Sequence, residues 1–117
     1  MRTNVDLKGI VSGKAAAHLR SFKKDVERLL PDQVSNVVLF GSRARGNSRQ
    51  DSDYDVAVFV KKMNDRRQID HTITDAAYRH IVAGVHIRPV SLPDGFLERR
   101  FAGLLARDIK RDGIVIP

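Results

Sequence analysis

Two aspartates separated by one residue, Asp53 and Asp55, are the side chains of this sequence best suited to chemistry. They stand at the start of an apolar run, Val56-Ala-Val-Phe-Val60, that is typical of a β-strand. Side chains at positions i and i+2 of a strand point to the same face, with Cα atoms roughly 6.5–7 Å apart. The two carboxylates can therefore converge on one point, where a divalent cation such as Mg²⁺ could bind.

A glycine turn precedes the two aspartates. An apolar strand ends at Phe40, the turn follows at Gly41-Ser42, and a second glycine stands at Gly46. Because glycine lets the backbone approach a phosphate closely, the turn and the carboxylates together could hold Mg²⁺ and a nucleoside triphosphate. The expected chemistry is in-line attack on the α-phosphate, with metal ions neutralising the departing pyrophosphate.

This segment resembles the signature of the nucleotidyltransferases of the DNA polymerase β superfamily. The matching residues are Gly41-Ser42, Gly46 and Ser52-Asp53-Tyr54-Asp55. In its small size the chain resembles the minimal nucleotidyltransferases, a group that includes the antitoxins of HEPN/MNT toxin–antitoxin pairs. The resemblance implies a palm-like α+β core, ATP as the substrate and Mg²⁺ as the cofactor.

The resemblance also implies a role for each matching residue. Asp53 and Asp55 would be the catalytic residues and the ligands of Mg²⁺. Gly41 and Ser42 would hold the triphosphate, and Gly46 would allow close approach of the backbone.

Three further residues of the loop are candidates for binding the nucleotide. Arg43 and Arg45 could grip phosphate through their guanidinium groups, with ordinary solvated loop charge as the alternative. Arg45 is the better candidate because it directly precedes the second glycine. Ser52 belongs to the predicted nucleotide-binding set, and we expect it to order the turn rather than act as a nucleophile, because no histidine lies nearby in the sequence.

The sequence departs from the family pattern in one respect. A third carboxylate is usual on a later strand, here expected at residues 85–90, yet no Asp or Glu occurs from Ile81 to Leu92. The nearest positions hold His86 and Arg88. The alternative of a catalytically degenerate binding module therefore stays open, as does a simple turn-capping role for the aspartates.

A P-loop NTPase is disfavoured despite the similar spacing Gly41-x₄-Gly46-Asn47-Ser48. Asn47 replaces the lysine that reaches the β- and γ-phosphates. A P-loop must also open a helix, whereas this polar stretch leads directly into a strand.

Composition limits the class of protein. The 117 residues predict one domain, residues 1–117, and the contents of 42% hydrophobic and 30% charged residues are typical of a soluble globule. No apolar stretch reaches the roughly 20 residues of a membrane span, and no signal peptide is evident, so we expect a cytoplasmic protein. The absence of cysteine excludes disulfides and thiol nucleophiles. A net charge of +7 predicts acidic partners such as nucleotides, RNA or an acidic protein face.

Periodicity predicts the order α-β-turn-β-α-β-α: an α+β fold with a small mixed sheet and helices packed largely on one face. The predicted helices cover about residues 14–30, 64–83 and 94–110, and the strands cover about 35–40, 55–60 and 85–90, with a short edge strand at 114–116. Residues 1–12 are expected to form a loosely held arm. Asp94 is expected to cap the last helix, whose predicted buried stripe is Leu97, Phe101, Leu104, Leu105 and Ile109.

The leading hypothesis is therefore transfer of AMP, or another nucleoside monophosphate, from a triphosphate to an acceptor hydroxyl. The resemblance implies that this acceptor is a tyrosine of a partner HEPN-type RNase toxin, bound in a hetero-oligomer. The alternatives are a degenerate module that neutralises its partner by binding alone, and a transferase acting on tRNA.

Overall fold

A four-stranded mixed sheet organises the computed structural model, which describes residues 1–117. The helices are α1 (Gly13–Leu29), α2 (Ser42–Arg45), α3 (Arg66–Val82) and α4 (Gly103–Asp112), and the strands are β1 (Val34–Phe40), β2 (Tyr54–Val60), β3 (Ile87–Pro93) and β4 (Ile114–Val115). The strand order is β3-β2-β1-β4, with β2 and β3 parallel and the other pairs antiparallel. The predicted fold class and element order are confirmed.

The central position of β2 follows from its sequence. The strand is apolar on both faces, which suits a strand covered on both sides. Its residues Val56, Val58 and Val60 face α1 and α3, whereas Ala57 and Phe59 face α4. The two long helices thus cover one face of the sheet, and the shorter α4 covers part of the other.

Local signals in the sequence fix the ends of the two long helices. Ser12 caps α1 by accepting a hydrogen bond from the backbone N–H of Ala15 at 3.1 Å. Asp65 caps α3 in the same way, through the N–H of Gln68 at 3.2 Å. Gly84 follows α3 with a φ of +97°, a conformation that favours glycine. None of the helices combines the length and the hydrophobicity needed to cross a bilayer.

The last helix begins later than the sequence predicts. Strand β3 extends to Pro93, the side chain of Asp94 accepts a hydrogen bond from the Ser35 hydroxyl at 2.7 Å, and a single 3₁₀ turn follows at Phe96–Glu98. Asp94 therefore does not cap α4, and the helix begins only at Gly103.

The predicted buried stripe of this last segment is also partly wrong. Leu97 and Ile109 are buried, as expected, but Phe101 is 89% exposed and Leu104 is 66% exposed. The late start of α4 is the reason, because Phe101 now lies before the helix and Leu104 lies on its outer side.

The first twelve residues make defined contacts with the C-terminal edge of the sheet. The backbone N–H of Arg2 donates to the carbonyl of Gly113, and the N–H of Val115 donates to the carbonyl of Arg2, both at 2.8 Å. Leu7 lies fully buried in the core beneath α1 and α3. Residues expected to form a loosely held arm are thus joined to β4.

Candidate active site

One cavity of about 550 Å³ opens where β1, β2 and β3 meet α4, a volume within the range of small-molecule sites. The predicted site residues Gly41, Ser42, Arg45 and Asp55 line it together. Its other lining residues are Phe40, Arg88, Pro89, Val90, Leu105 and Asp108. The glycine turn and one of the two aspartates therefore share a single ligand-sized space.

Close approach between the turn and β2 explains why residue 41 is a glycine. Gly41 adopts φ +76° and ψ −159°, a combination found almost only at glycine. A Cβ atom at this position would lie 2.6 Å from Oδ2 of Asp55, which is too close for any side chain. The missing side chain thus lets the Asp55 carboxylate lie against the backbone of the turn.

Both aspartates contact the same cation, the guanidinium group of Arg88. Nε and one terminal nitrogen of Arg88 each lie 2.7 Å from Oδ1 of Asp55. The other terminal nitrogen lies 3.4 Å from Oδ2 of Asp53. The parallel register of β2 and β3 creates this arrangement, because it places Arg88 directly beside Asp55.

This arrangement tests whether the residues fit a divalent metal ion. The guanidinium group stands in for a cation, and both carboxylates face it, Asp55 through Nε and one terminal nitrogen and Asp53 through the other terminal nitrogen. Mg²⁺ in nucleotide sites is commonly held by one or two carboxylates, with phosphate oxygens and waters completing the octahedron. The pair fits that requirement once Arg88 moves aside. No group of three or more acidic or histidine side chains is arranged to hold a metal.

Arg45 reaches the cavity from α2 and is held in place by α4. One of its terminal nitrogens lies 2.9 Å from Oδ2 of Asp112, whose side chain is only 7% exposed. Arg111 binds the same carboxylate at 3.0 and 3.1 Å. Hydrogen bonds from Arg111 and then from Arg45 hold the pKa of Asp112 below its ordinary value.

The remaining loop candidates lie outside this cavity. Arg43 donates hydrogen bonds to the carbonyls of Ser52 and Gln50, and its guanidinium carbon lies 4.3 Å from the centroid of the Tyr54 ring. The Ser52 hydroxyl accepts from the backbone N–H of Arg49 at 2.9 Å, which orders the turn. Arg43 and Ser52 instead line a second cavity of about 570 Å³.

Gly46 likewise does not line the cavity. It ends α2 in the left-handed conformation, with φ +77°. No heavy atom lies within 4 Å of the position a Cβ would take there. Its place in the structure is that of a helix C-cap.

Sequence reasoning missed the contribution of α4. Asp112 holds Arg45, and Asp108 and Leu105 line the cavity from the same helix. No local pattern reveals these partners, since Arg45 and Asp112 are 67 residues apart in the sequence. The packing of α4 on β1 and the antiparallel pairing of β4 with β1 bring the end of α4 beside the glycine turn.

Two comparisons of the sequence with known proteins indicate the family of this chain. The sequence profile of the family described as "Nucleotidyltransferase domain" matches residues 19–111. The chain is 35% identical over 72 residues to a protein of Methanocaldococcus jannaschii named "Putative protein adenylyltransferase MJ0141", and the match covers 62% of this chain and 73% of the relative.

A solved structure has a similar fold. The crystal structure of "a putative nucleotidyltransferase from Sulfolobus solfataricus" superposes with a TM-score of 0.54 over 87% of this chain and 82% of its own, at 17% identity. The profile match spans most of the chain, including the glycine turn and both aspartates. The protein therefore belongs to the nucleotidyltransferase domain family.

Proposed function

We propose that the protein transfers AMP from ATP to a hydroxyl group of a partner protein, in a reaction that requires Mg²⁺. The observation that supports this most is the contact of both the Asp53 and the Asp55 carboxylates with one cationic group, the Arg88 guanidinium, whose position we assign to the metal. This position borders the cavity that Gly41 and Ser42 line. Carboxylates for a metal and a turn for a triphosphate are the parts that transfer from a nucleoside triphosphate needs.

The proposed reaction forms one bond and breaks one. The acceptor oxygen bonds to the α-phosphorus, the bond from that phosphorus to the bridging oxygen breaks, and pyrophosphate leaves with both electrons of that bond. The hydroxyl proton passes to water. When bound, Mg²⁺ would supply positive charge to the phosphate oxygens and the leaving group.

The residues of the chain bind and orient the reactants in this scheme. Asp53 and Asp55 hold the cation position, and the turn at Gly41 and Ser42 offers backbone N–H and hydroxyl donors to the triphosphate. Arg45, held by Asp112 at the rim of the cavity, presents its exposed N–H groups to phosphate oxygens.

A protein acceptor is supported by the name of the archaeal relative, a protein adenylyltransferase. The exposed side chains of Phe101 and Leu104 add to this support, because they lie within four residues of Leu105, which lines the cavity. A pair of exposed apolar side chains suits a protein surface better than the phosphate backbone of tRNA. We further propose that the acceptor is a tyrosine of a HEPN-type RNase toxin, which AMP would silence.

The test is intact-mass spectrometry of such a toxin after co-expression with this protein. We expect a mass gain of one or more AMP units on a tyrosine peptide, dependent on ATP and Mg²⁺. Asp53→Asn should abolish the gain and leave complex formation intact. Asp51→Asn removes the same charge from the same loop and should leave the gain unchanged, since Asp51, unlike Asp53, makes no ion pair with Arg88 at the cation position. Undiminished modification by the Asp53 variant would refute the assigned site.

One observation favours a second candidate, a binding module without turnover. Arg88 already neutralises the two carboxylates that a metal would need. In that case the protein would inhibit its partner by forming a complex, and the co-expressed partner would carry no AMP. Wild type and Asp53→Asn would then protect cells from the toxin equally well.

A further inference from the structure

We infer that Arg88 makes metal binding depend on the nucleotide, by occupying the cation position in the free protein and moving to the triphosphate when it enters. This inference rests on the proposed function, because it assumes that the cavity takes a metal–nucleotide complex. It assigns Arg88 two alternative anionic partners, the aspartate pair and the phosphates.

The first step of the argument is steric and electrostatic exclusion. The Arg88 guanidinium makes contacts of 2.7 Å to Asp55 and 3.4 Å to Asp53, at the point where the two carboxylates converge. A divalent ion bound there would need the same oxygens. It would also lie within a few ångströms of the positively charged guanidinium group, which repels it.

The second step is the freedom of Arg88 to leave. Its side chain is 68% exposed and pairs with Asp53 and Asp55, which are 41% and 19% exposed. Because the guanidinium itself faces solvent, water screens these ion pairs and another anion can compete for it.

The third step is the presence of that other anion in the same space. Arg88 lines the cavity together with Gly41 and Ser42, so a triphosphate bound at the turn lies within the space that its side chain borders. Guanidinium groups bind phosphate oxygens through paired hydrogen bonds. Nucleotide entry therefore offers Arg88 a new partner at the moment when the carboxylates need a metal.

Two consequences follow for binding. Metal alone binds the free protein weakly, because it must displace Arg88 without offering that side chain an anion. Metal and nucleotide together bind cooperatively, and by linkage each raises the affinity of the other by the same factor.

The experiment measures Mn²⁺ binding by electron paramagnetic resonance, with and without a non-hydrolysable ATP analogue. In the absence of nucleotide, we expect Arg88→Ala to bind Mn²⁺ at least about tenfold more tightly than wild type, as the loss of a neighbouring charge predicts. The analogue should tighten Mn²⁺ binding more in wild type than in this variant. Arg66→Ala lowers the net charge equally from the far end of α3 and should behave as wild type.

Each outcome decides a different point. The role of Arg88 is overturned if wild type and Arg88→Ala bind Mn²⁺ equally well without nucleotide, or if Arg66→Ala tightens Mn²⁺ binding as much as Arg88→Ala does. Either result leaves the proposed function standing. Absence of Mn²⁺ binding in every variant, even with the analogue, overturns the proposed function and this inference together. Both are also overturned if a double variant, with Asp53→Asn and Asp55→Asn together, still binds Mn²⁺.

Discussion

Replacing Gly41 by alanine would place a Cβ atom 2.6 Å from Oδ2 of Asp55, at a backbone conformation that only glycine adopts readily. We expect this change to lower the free energy of unfolding by about 1–3 kcal/mol. It should also abolish binding of the metal–nucleotide complex, since the carboxylate must move away from the turn. Urea unfolding and Mn²⁺ binding measure the two effects separately.

Gly95 offers a matched control for this substitution. Its φ is +84°, but no heavy atom lies within 4 Å of an added Cβ. Gly95→Ala should therefore cost about 1–2 kcal/mol of stability through backbone strain alone and leave Mn²⁺ binding intact. Unimpaired binding by the Gly41 variant would contradict the close-approach explanation.

The residue scale is also where sequence and structure agree most closely. The i, i+2 spacing of Asp53 and Asp55 predicted a shared face, and the two side chains contact the same guanidinium group. The sequence did not reveal that Arg88 pairs with these carboxylates, because the pairing of Asp55 with Arg88 depends on the register of two parallel strands. Local patterns fix which way a side chain points, whereas register is fixed by packing of the whole sheet.

Elements α2 and α4 are joined by the contact between Arg45 and Asp112. Asp112→Asn should weaken nucleotide binding, because Arg45 would lose the anion that holds it at the cavity. Isothermal titration with the ATP analogue and Mg²⁺ measures this loss. Asp75→Asn, at a 76% exposed position on α3, removes the same charge and should have no effect.

The same carboxylate adds an acid-sensitive contribution to stability. The pKa of Asp112 is lowered from 3.8, so the unfolded chain binds more protons at this group than the folded protein does. Its stabilisation is therefore complete above about pH 4 and is lost as the pH falls through the lowered pKa. Asp112→Asn should remove this part of the acid dependence, and an unchanged acid profile would contradict it.

At the element scale, helix starts were predictable only where a capping side chain marks them. Ser12 precedes α1 and caps it, in agreement with the sequence. Asp94 has the same capping ability but accepts a hydrogen bond from Ser35 on β1, two strands away from β3, and α4 starts without a side-chain cap. A tertiary contact thus overrode a local preference, which no single-sequence pattern reports.

The stability of the whole molecule should depend on pH through His80, a residue of α3 that is fully buried against α1. Its Nδ1 lies 2.8 Å from Nδ1 of His18, and its Nε2 lies 3.2 Å from Oδ2 of Asp25. Arg79 donates to the same Asp25 carboxylate at 2.7 Å. Burial is the main reason that the pKa of His80 is lowered, against the opposing hydrogen bond to Asp25.

The direction of the effect follows from proton linkage. Below pH 6.5 the unfolded chain protonates this histidine before the folded protein does, so unfolding becomes easier as the pH falls toward the lowered pKa. The slope is at most about 1.4 kcal/mol per pH unit, because one proton is involved. His80→Gln should flatten the profile between pH 5 and 7, whereas His71→Gln, at a 71% exposed position, should not. Denaturant unfolding at several pH values measures both, and equal slopes in wild type and the His80 variant would contradict the linkage.

The distribution of exposed apolar side chains over the molecule locates the face expected to meet a protein acceptor. Phe101 and Leu104 are exposed around the start of α4, the helix that contributes Leu105 to the cavity, whereas Tyr78 and Val82 are exposed on α3. Serine at both positions 101 and 104 should leave the stability within about 0.5 kcal/mol of wild type, because these side chains are already in solvent. Binding of Mn²⁺ and the ATP analogue should also be unchanged, since neither side chain lines the cavity.

Transfer of label from radioactive ATP to the partner protein should nevertheless fall, because the acceptor would lose its apolar contact beside the site. The matched control replaces Tyr78 and Val82 by serine, which removes a similar exposed apolar area from α3. An equal loss of transfer in both double variants would mean that the contact is not specific to the cavity face. If transfer fell only in the variant of Tyr78 and Val82, the acceptor would instead bind at α3. From there a partner could reach the cavity only around the edge of the sheet.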